Sequence, residues 1–335
     1  MKPWQSRTLT FALGGLLIVT VASFFQGRLW WLDLFAHFRW QYILVGFFLI
    51  GPCFANRRHL SIIIVILGAN LWGISQSGFV IWGNAQNEDR LRPKLSAIFL
   101  NTYMNNTHHD QVVSFIDKSG ADIVVLSELR EGWEDAYRPL FNKYRYHQQI
   151  VDPVFGRKKR NSLLMLSHFP LENLDHFIDS KKNHAYLLAA DVVLPTGKVT
   201  IAGVHLSTSF TAVRASHQNY EVNQIISWAR SRPRLAFIMG DFNMTPFAVR
   251  YQNLLLQSGL AQSNQNYRAT WPSLLVPAGI PIDHVLTGPY ARLEKMSVGP
   301  YLGSDHRPVL VELSLNTSVS LANQQHSEIA QGLQD

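Results

Sequence analysis

Leu235-Ala236-Phe237-Ile238-Met239-Gly240-Asp241-Phe242-Asn243 is a run of five apolar residues that ends in a glycine, a carboxylate and an amide. An unbroken apolar run of this length, closed by turn-forming residues, predicts a strand buried on both faces. The same design recurs along the chain. Leu95–Asn101 ends in an amide, Ile123–Ser127 is followed by Glu128, and Val199–His205 ends in an imidazole. His284–Thr287 is preceded by Asp283, and Val309–Leu313 by Ser304-Asp305-His306-Arg307-Pro308. Ser162–Ser167 and Tyr186–Leu194 read as further strands. Between them lie amphipathic stretches. His108–Ser119 carries Val112, Val113, Phe115 and Ile116 on one helical face, with Gly120 as terminator. Thr211–Arg230 and Pro246–Gln257 read as two more helices. Strands alternating with helices predict an α/β or α+β domain over residues 94–315.

Ligand sites in sheet proteins collect at strand ends, where side chains from several strands meet. Here those ends carry carboxylates, amides and imidazoles and no thiol. That donor set suits a hard divalent cation and a phosphate ester. Taken singly, each residue has a plainer reading. Asn101 can close a strand in a turn, Gly240-Asp241 can form a hairpin turn, and Asp305 can cap a turn ahead of Pro308. Glu128 can be an exposed strand-end acid, and His205 a half-buried histidine with satisfied partners. It is their joint occurrence that points to chemistry.

The ordered series Asn101, Ser127-Glu128, Val204-His205-Leu206, Gly240-Asp241-Phe242-Asn243, Ile282-Asp283-His284 and Ser304-Asp305-His306 resembles the endonuclease/exonuclease/phosphatase superfamily, with its deoxyribonuclease-I-like fold. The resemblance implies a four-layer sandwich of two mixed β-sheets flanked by helices, acting as a metal-dependent phosphoesterase. It implies Mg²⁺, with Mn²⁺ as a substitute, held chiefly by Glu128 with Asn101 beside it and Asp305 on the metal side. By the same resemblance, Asp241 orients or deprotonates the attacking water, and Asn243 and His205 bind the phosphate. His306, held by Asp283, stays protonated against the phosphoryl oxygens. Two positions depart from the DNA-repair members: Tyr103 stands where an acid is common, and His205 replaces a Tyr/Asn pair. Both weaken a repair-nuclease reading.

Ahead of this domain the chain is of a different kind. Leu9–Phe25, Tyr42–Ala55 and Leu60 to about Trp82 contain no Lys, Arg, Asp or Glu. About 20 apolar residues cross a bilayer as a helix, so residues 1–83 predict a bundle of three transmembrane helices. Trp30, Trp31, Trp40, Trp72 and Trp82 fall mostly near the ends, where the headgroups lie. The alternatives are the core of a soluble domain, or a signal peptide followed by a buried hairpin, but no small-residue cleavage site follows Phe24-Phe25. Residues 84–93 read as a linker and 316–335 as a disordered tail. Lys2, Arg7 and Arg57-Arg58 favour a cytoplasmic N-terminus, with the catalytic domain outside the cytoplasm, as in a multi-pass protein of a bacterial inner membrane. Arg28, Arg39, Arg90, Arg92 and Lys94 oppose this orientation.

Composition narrows the partners. Of 335 residues 47% are hydrophobic and 16% charged, and there is one Cys. A disulfide framework, a cysteine-rich zinc site and a disordered chain are excluded. Six of the 30 basic and one of the 23 acidic residues lie up to Asn87, so that segment carries +5 of the net +7. The near-neutral remainder does not advertise long duplex binding. The expected partners are a phosphate-ester substrate, either nucleic acid or a lipid headgroup, and the bilayer itself; no obligate protein partner is marked. Arg157-Lys158-Lys159-Arg160 reads as a solvated loop or as an anion-steering one. Trp271 reads as a local core anchor or as an aromatic shelf beside the cleft. His108, His109, His147, His168, His176, His184, His217 and His326 match no motif. The competing function is a catalytically inactive membrane adaptor built on the same fold, which would have lost Glu128, Asp241 or His306.

Overall fold

The apolar runs that end in Asn101 and Asp241 lie in the middle of two six-stranded mixed sheets in a computed structural model of the chain. Residues 3–77, 94–130, 132–152, 162–181, 184–262 and 268–316 are described. The expected linker over 84–93, the basic loop over 157–160 and the tail beyond Asn316 lie outside the described residues.

In the first sheet, β1 (Lys94–Asn101) runs parallel to β2 (Ile123–Ser127). Antiparallel neighbours extend it: β12 (Val309–Leu315) and β11 (Ala291–Val298) on one side, β4 (Ser162–Ser167) and β3 (Tyr146–Val151) on the other. The second sheet repeats the plan. Its parallel pair is β7 (Gly197–His205) and β8 (Leu235–Asp241). β6 (His184–Leu194) and β5 (Leu171–Asp179) lie on one side, and β10 (Asp283–Thr287) and β9 (Ala261–Gln262) on the other. The inner faces meet through Phe99, Val125, Met165, Ile201, Phe237 and Val311, all buried. Burying side chains of this size stabilises by about 1.5–3 kcal/mol each. The sheets approach so closely at Gly203 that a Cβ there would stand 2.4 Å from a Val125 methyl.

Helices cover both outer faces. α5 (His109–Ser119) and α6 (Glu134–Lys143) pack on the first sheet through Val112, Ile116, Tyr137 and Leu140. Gly120 ends α5 in the left-handed conformation (φ 62°), as the sequence implied. α7 (Ala212–Arg230) and α8 (Val249–Ser258) cover the second sheet through Val222, Ile225, Tyr251 and Leu254. The side chain of Thr211 caps α7 by accepting from the Arg214 N–H. The architecture is therefore helix–sheet–sheet–helix, an α/β sandwich.

Four N-terminal helices adjoin it: α1 (Pro3–Ala22), α2 (Trp30–Ala36), α3 (Arg39–Cys53) and α4 (Arg57–Ser75). The stretches Trp4–Ala22 and Arg57–Ser75 are long and apolar enough to cross a bilayer. α2 and α3 make a third such element only if the pair, bent by 54°, counts as one broken span. α2 was not expected from the sequence. These helices are fastened to the sandwich by polar contacts. The Gln26 side chain bonds Phe247 O and Val249 N, and Gln41 donates to Ala278 O and Gly279 O. Gln252 donates to Ser77 O. Asp33 pairs with Arg250 at 2.7 Å, both side chains largely buried. The end of α1, the start of α3 and the end of α4 therefore all lie on the sandwich side.

Candidate active site

Strand register alone gathers most of the candidate residues. Within the second sheet His205 stands opposite Asp241, and Asp283 stands opposite Asp241 on its other side. Three chemically active side chains thus occupy adjacent positions at one end of β7, β8 and β10. In the first sheet Asn101 is paired with Ser127, so Glu128 leaves the same end of β2. Because the sheets lie face to face, the two rows converge. The Asn101 amide Nδ2 donates to Glu128 Oε1 (2.9 Å) and to Asp241 Oδ2 (3.1 Å), bridging a carboxylate of each sheet.

Around this bridge stand the imidazoles. His205 Nε2 is 3.5 Å from Glu128 Oε1 and 3.8 Å from Asp241 Oδ2. His306 Nε2 is 3.7 Å from the same Asp241 oxygen, while its Nδ1 lies 2.9 and 3.1 Å from the two Asp283 oxygens. The Ser304 hydroxyl donates to Asn101 O (2.6 Å) and accepts from the His306 N–H (3.0 Å), which ties the last motif to the first. Asn243 donates its backbone N–H to Asp241 Oδ1 and its side-chain amide to Leu206 O, each at 2.8 Å. Asp305 is half-buried, and its Oδ2 accepts from Trp271 Nε1 at 3.1 Å. Trp271 is therefore part of the cleft wall and not a core anchor.

The backbone is strained here. Tyr103 (φ 60°), Glu128 (φ 57°) and Asn243 (φ 51°) adopt the left-handed conformation without being glycine. Such residues cost about 1–2 kcal/mol each, and their concentration at one cleft marks a site whose geometry outweighs local comfort.

Electrostatics follow from burial. Desolvation pushes the Asp241 carboxyl well above the carboxylate range; Asp283 adds to this, while His306, the Asn243 N–H and the Asn101 amide oppose it. Burial alone would strip the proton from His306, but Asp283 and Asp241 overcome it and hold the ring protonated well above its ordinary 6.5. A buried carboxylate short of positive charge is what a divalent cation would relieve. Asp241, Asp283 and His306 do present ligand atoms within 4.8 Å of one another. A protonated imidazole, however, has no lone pair to give. The donor set fits a hard cation better on the Glu128 side of Asp241, where oxygen donors meet a half-buried opening.

The cleft occupies about 610 Å³, and Glu128, His205, Asp241, Asn243, Asp305 and His306 line it. Asn101 and Asp283 stand just behind, each bonded to a lining residue. Other lining residues had no sequence motif. His184 Nε2 contacts His205 O at 2.8 Å, and Arg214 lies on the first turn of α7 with an N–H 3.3 Å from Thr208 Oγ1. Leu34, His37 and Phe38 come from the N-terminal helices. Only the three-dimensional approach of segments some two hundred residues apart could reveal these three.

The model of the Endonuclease/Exonuclease/phosphatase family matches residues 98–306. No curated protein matches the chain in sequence. Among solved structures, an endonuclease/exonuclease/phosphatase from Beutenbergia cavernae DSM 12333 superposes with a TM-score of 0.58 at 17% identity, over 67% of this chain and 72% of that one. D. rerio TDP2 complexed with single strand DNA product gives 0.52 at 18%, over 66% and 99%. Sphingomyelinase C from Streptomyces griseocarneus gives 0.51 at 15%, over 66% and 99%. At these identities the likeness is one of fold.

Proposed function

The chain belongs to the endonuclease/exonuclease/phosphatase family, and from that premise we propose that it is a membrane-anchored, divalent-metal-dependent phosphodiesterase. Members of the family are hydrolases of phosphoester bonds. The observation that carries the reading for this chain is the Asn101 bridge between Glu128 and Asp241, with protonated His306 on the far side of Asp241.

Glu128 would hold the cation, with Asn101 and Asp305 near it; Mg²⁺ is the natural choice and Mn²⁺ a substitute. The ion supplies positive charge against the phosphoryl oxygens when bound. The remaining work falls to the protein. Asp241 accepts the proton of the attacking water, held in place by the Asn243 N–H and the Asn101 amide. Asn243 and His205 face the phosphate. His306 presents Nε2–H to the charge that grows on the phosphoryl oxygens, and Asp283 fixes its tautomer and its proton. The water oxygen bonds to phosphorus, the phosphorus–oxygen bond on the opposite side breaks, and the leaving oxygen takes up a proton. A diester and water give a monoester and an alcohol.

α1, α4 and α3, the longer arm of the bent α2–α3 pair, would cross the bilayer, with α2 kept against the sandwich by the Asp33–Arg250 pair. Phe11, Phe48 and Ile64 on these helices are 79%, 78% and 60% exposed, an unfavourable surface in water and a suitable one in lipid. The far ends carry Arg7, Arg57 and Arg58 against Arg28 and Arg39 on the sandwich side, a small excess that by the positive-inside rule leans toward a cytoplasmic far side and an extracytoplasmic cleft. A reporter fused to the C-terminus reads that orientation.

The test of the activity is turnover of bis(p-nitrophenyl) phosphate by the full-length protein in detergent. The expected result is hydrolysis abolished by EDTA and restored by Mg²⁺, with a raised Mg²⁺ requirement in Glu128→Gln. Absence of chelator-sensitive turnover on any phosphoester would favour the inactive adaptor.

A further inference from the structure

The active-site cleft is not built by the sandwich alone. Leu34 lies on α2, and Phe38 is the residue that caps the N-terminus of α3. Both line the cleft that holds Glu128, Asp241 and His306. This wall is fixed in place. Asp33, next to Leu34, forms the buried pair with Arg250, and Asp33 Oδ1 also accepts from the Gly27 N–H at 2.6 Å. His37, next to Phe38, contacts Thr245 Oγ1 at 3.0 Å through Nδ1 and is itself buried. Thr245 follows Asn243 by two residues, so the wall is attached almost directly to the catalytic loop.

Exposed apolar side chains stand in and near the cleft, beside polar lining residues such as Asp152, Ser207 and Thr208. Phe210, also in the cleft, is 58% exposed, and Val213 67%. Leu274 and Leu275 are 73% and 60% exposed, on the segment that reaches Gly279, where Gln41 of α3 docks. The cleft mouth therefore sits at the level where α3 begins. The polar layer of a bilayer is only about 5–8 Å deep on each side of the hydrocarbon. α1 and α4 both end on the sandwich side, so if they cross, α3 must run between the two sides, and Phe38 at its start would stand within that layer.

A nucleic-acid strand wants a track of cations along its phosphates and aromatic shelves for its bases. Among the described lining residues Arg214 is the one Arg or Lys. Arg214 beside the apolar side chains of Leu34, Phe38 and Phe210 suits a phosphate joined to an apolar body.

We propose that the substrate is a phosphodiester-bearing lipid of the bilayer that α1, α3 and α4 cross. Its phosphate lies against His306, His205 and Asn243, Arg214 takes a further anionic contact, and the acyl portion leaves the cleft past Leu34, Phe38 and Phe210 into the membrane. This deepens the phosphodiesterase reading and rests on it. Hydrolysis is balanced as above, and the product that keeps the acyl chains stays in the bilayer.

The test uses the full-length chain reconstituted in vesicles of phosphatidylethanolamine and phosphatidylglycerol, with separate vesicles containing sphingomyelin. Lipid products are read by mass spectrometry, beside turnover of bis(p-nitrophenyl) phosphate and single-stranded DNA. The expected result is Mg²⁺-dependent lipid cleavage. In Leu34→Ser/Phe38→Ser the ratio of lipid to soluble-diester turnover falls about tenfold or more, the scale of losing one large apolar contact. Phe210→Ser, two residues ahead of α7, lowers the same ratio and provides a second reading if the double variant does not fold. Soluble diester cleaved but no vesicle lipid, DNA cleaved in preference to lipid, or an unchanged ratio in the rim variants overturns the lipid assignment and leaves the phosphodiesterase standing. No turnover of any substrate overturns both.

Discussion

Replacing Asp283 with Asn removes one negative charge from the cleft and almost no volume. Asp283 is buried, and its two oxygens lie 3.1 and 2.9 Å from His306 Nδ1. Burial alone would drive His306 below its ordinary 6.5; Asp283 is the largest influence in the other direction, with Asp241 next. In Asp283→Asn only Asp241, at 3.7 Å, and the more distant Asp305 still favour the charged ring. Each unit by which the imidazole falls withdraws about 1.4 kcal/mol of support for its proton. A fall of several units leaves His306 mostly neutral at neutral pH. The expected loss in kcat/KM is about 10²–10⁴-fold, the range for a positioned acid–base group. The assay is the pH profile of bis(p-nitrophenyl) phosphate turnover. Wild type should keep its activity well above pH 6.5 and lose it as pH rises through the raised His306 value. The alkaline limb of the variant should move down, so that activity partly returns on acidification. Adding His306→Ala to Asp283→Asn should cost little more, because the two act as one unit. Wild-type rates with an unmoved alkaline limb in Asp283→Asn would refute the reasoning.

His284 gives a stability prediction. Burial lowers its pKa from 6.5 to about 4, against the opposing pull of its contact with Met244 O and of Asp283. The folded state therefore binds its proton less readily than the unfolded chain. The stability it contributes is whole above about pH 6.5 and is lost as pH falls toward 4, by about 3 kcal/mol. Thermal unfolding against pH should show this acid limb, and His284→Gln should flatten it; an identical limb would contradict the assignment. Arg250→Met tests the joint between helices and sandwich. It leaves Asp33 buried with its partner gone, and breaking such a pair costs about 3–5 kcal/mol. Asp33→Asn added to it should recover most of the lost Tm, and failure to recover would show that the pair does not carry the joint.

What could be read from the sequence followed burial. β1, β2, β8 and β10 are buried nearly throughout, so their apolar runs are unbroken and end visibly in polar residues. The outer strands are different. Tyr146–Val151, Leu171–Asp179 and Ala291–Val298 are half-exposed and carry His, Gln, Asp, Glu and Lys among their apolar residues, which hid them. α6 was concealed by Pro139, and β9 is only two residues long. α2 was missed because Asp33 breaks the apolar pattern, and the partner that allows a buried Asp there is Arg250. The site shows the same division. Residues at the ends of central strands could be named in advance, whereas Arg214, His184, Leu34 and Phe38 belong to the cleft only through packing of distant segments.

The most direct test of the shared site is the turnover of one phosphodiester by full-length wild type, Asp241→Asn and His306→Ala, with folding confirmed by circular dichroism. The account requires Mg²⁺-dependent hydrolysis by wild type and losses of about 10²–10⁴-fold in each variant. Folded variants that keep the wild-type rate would contradict it.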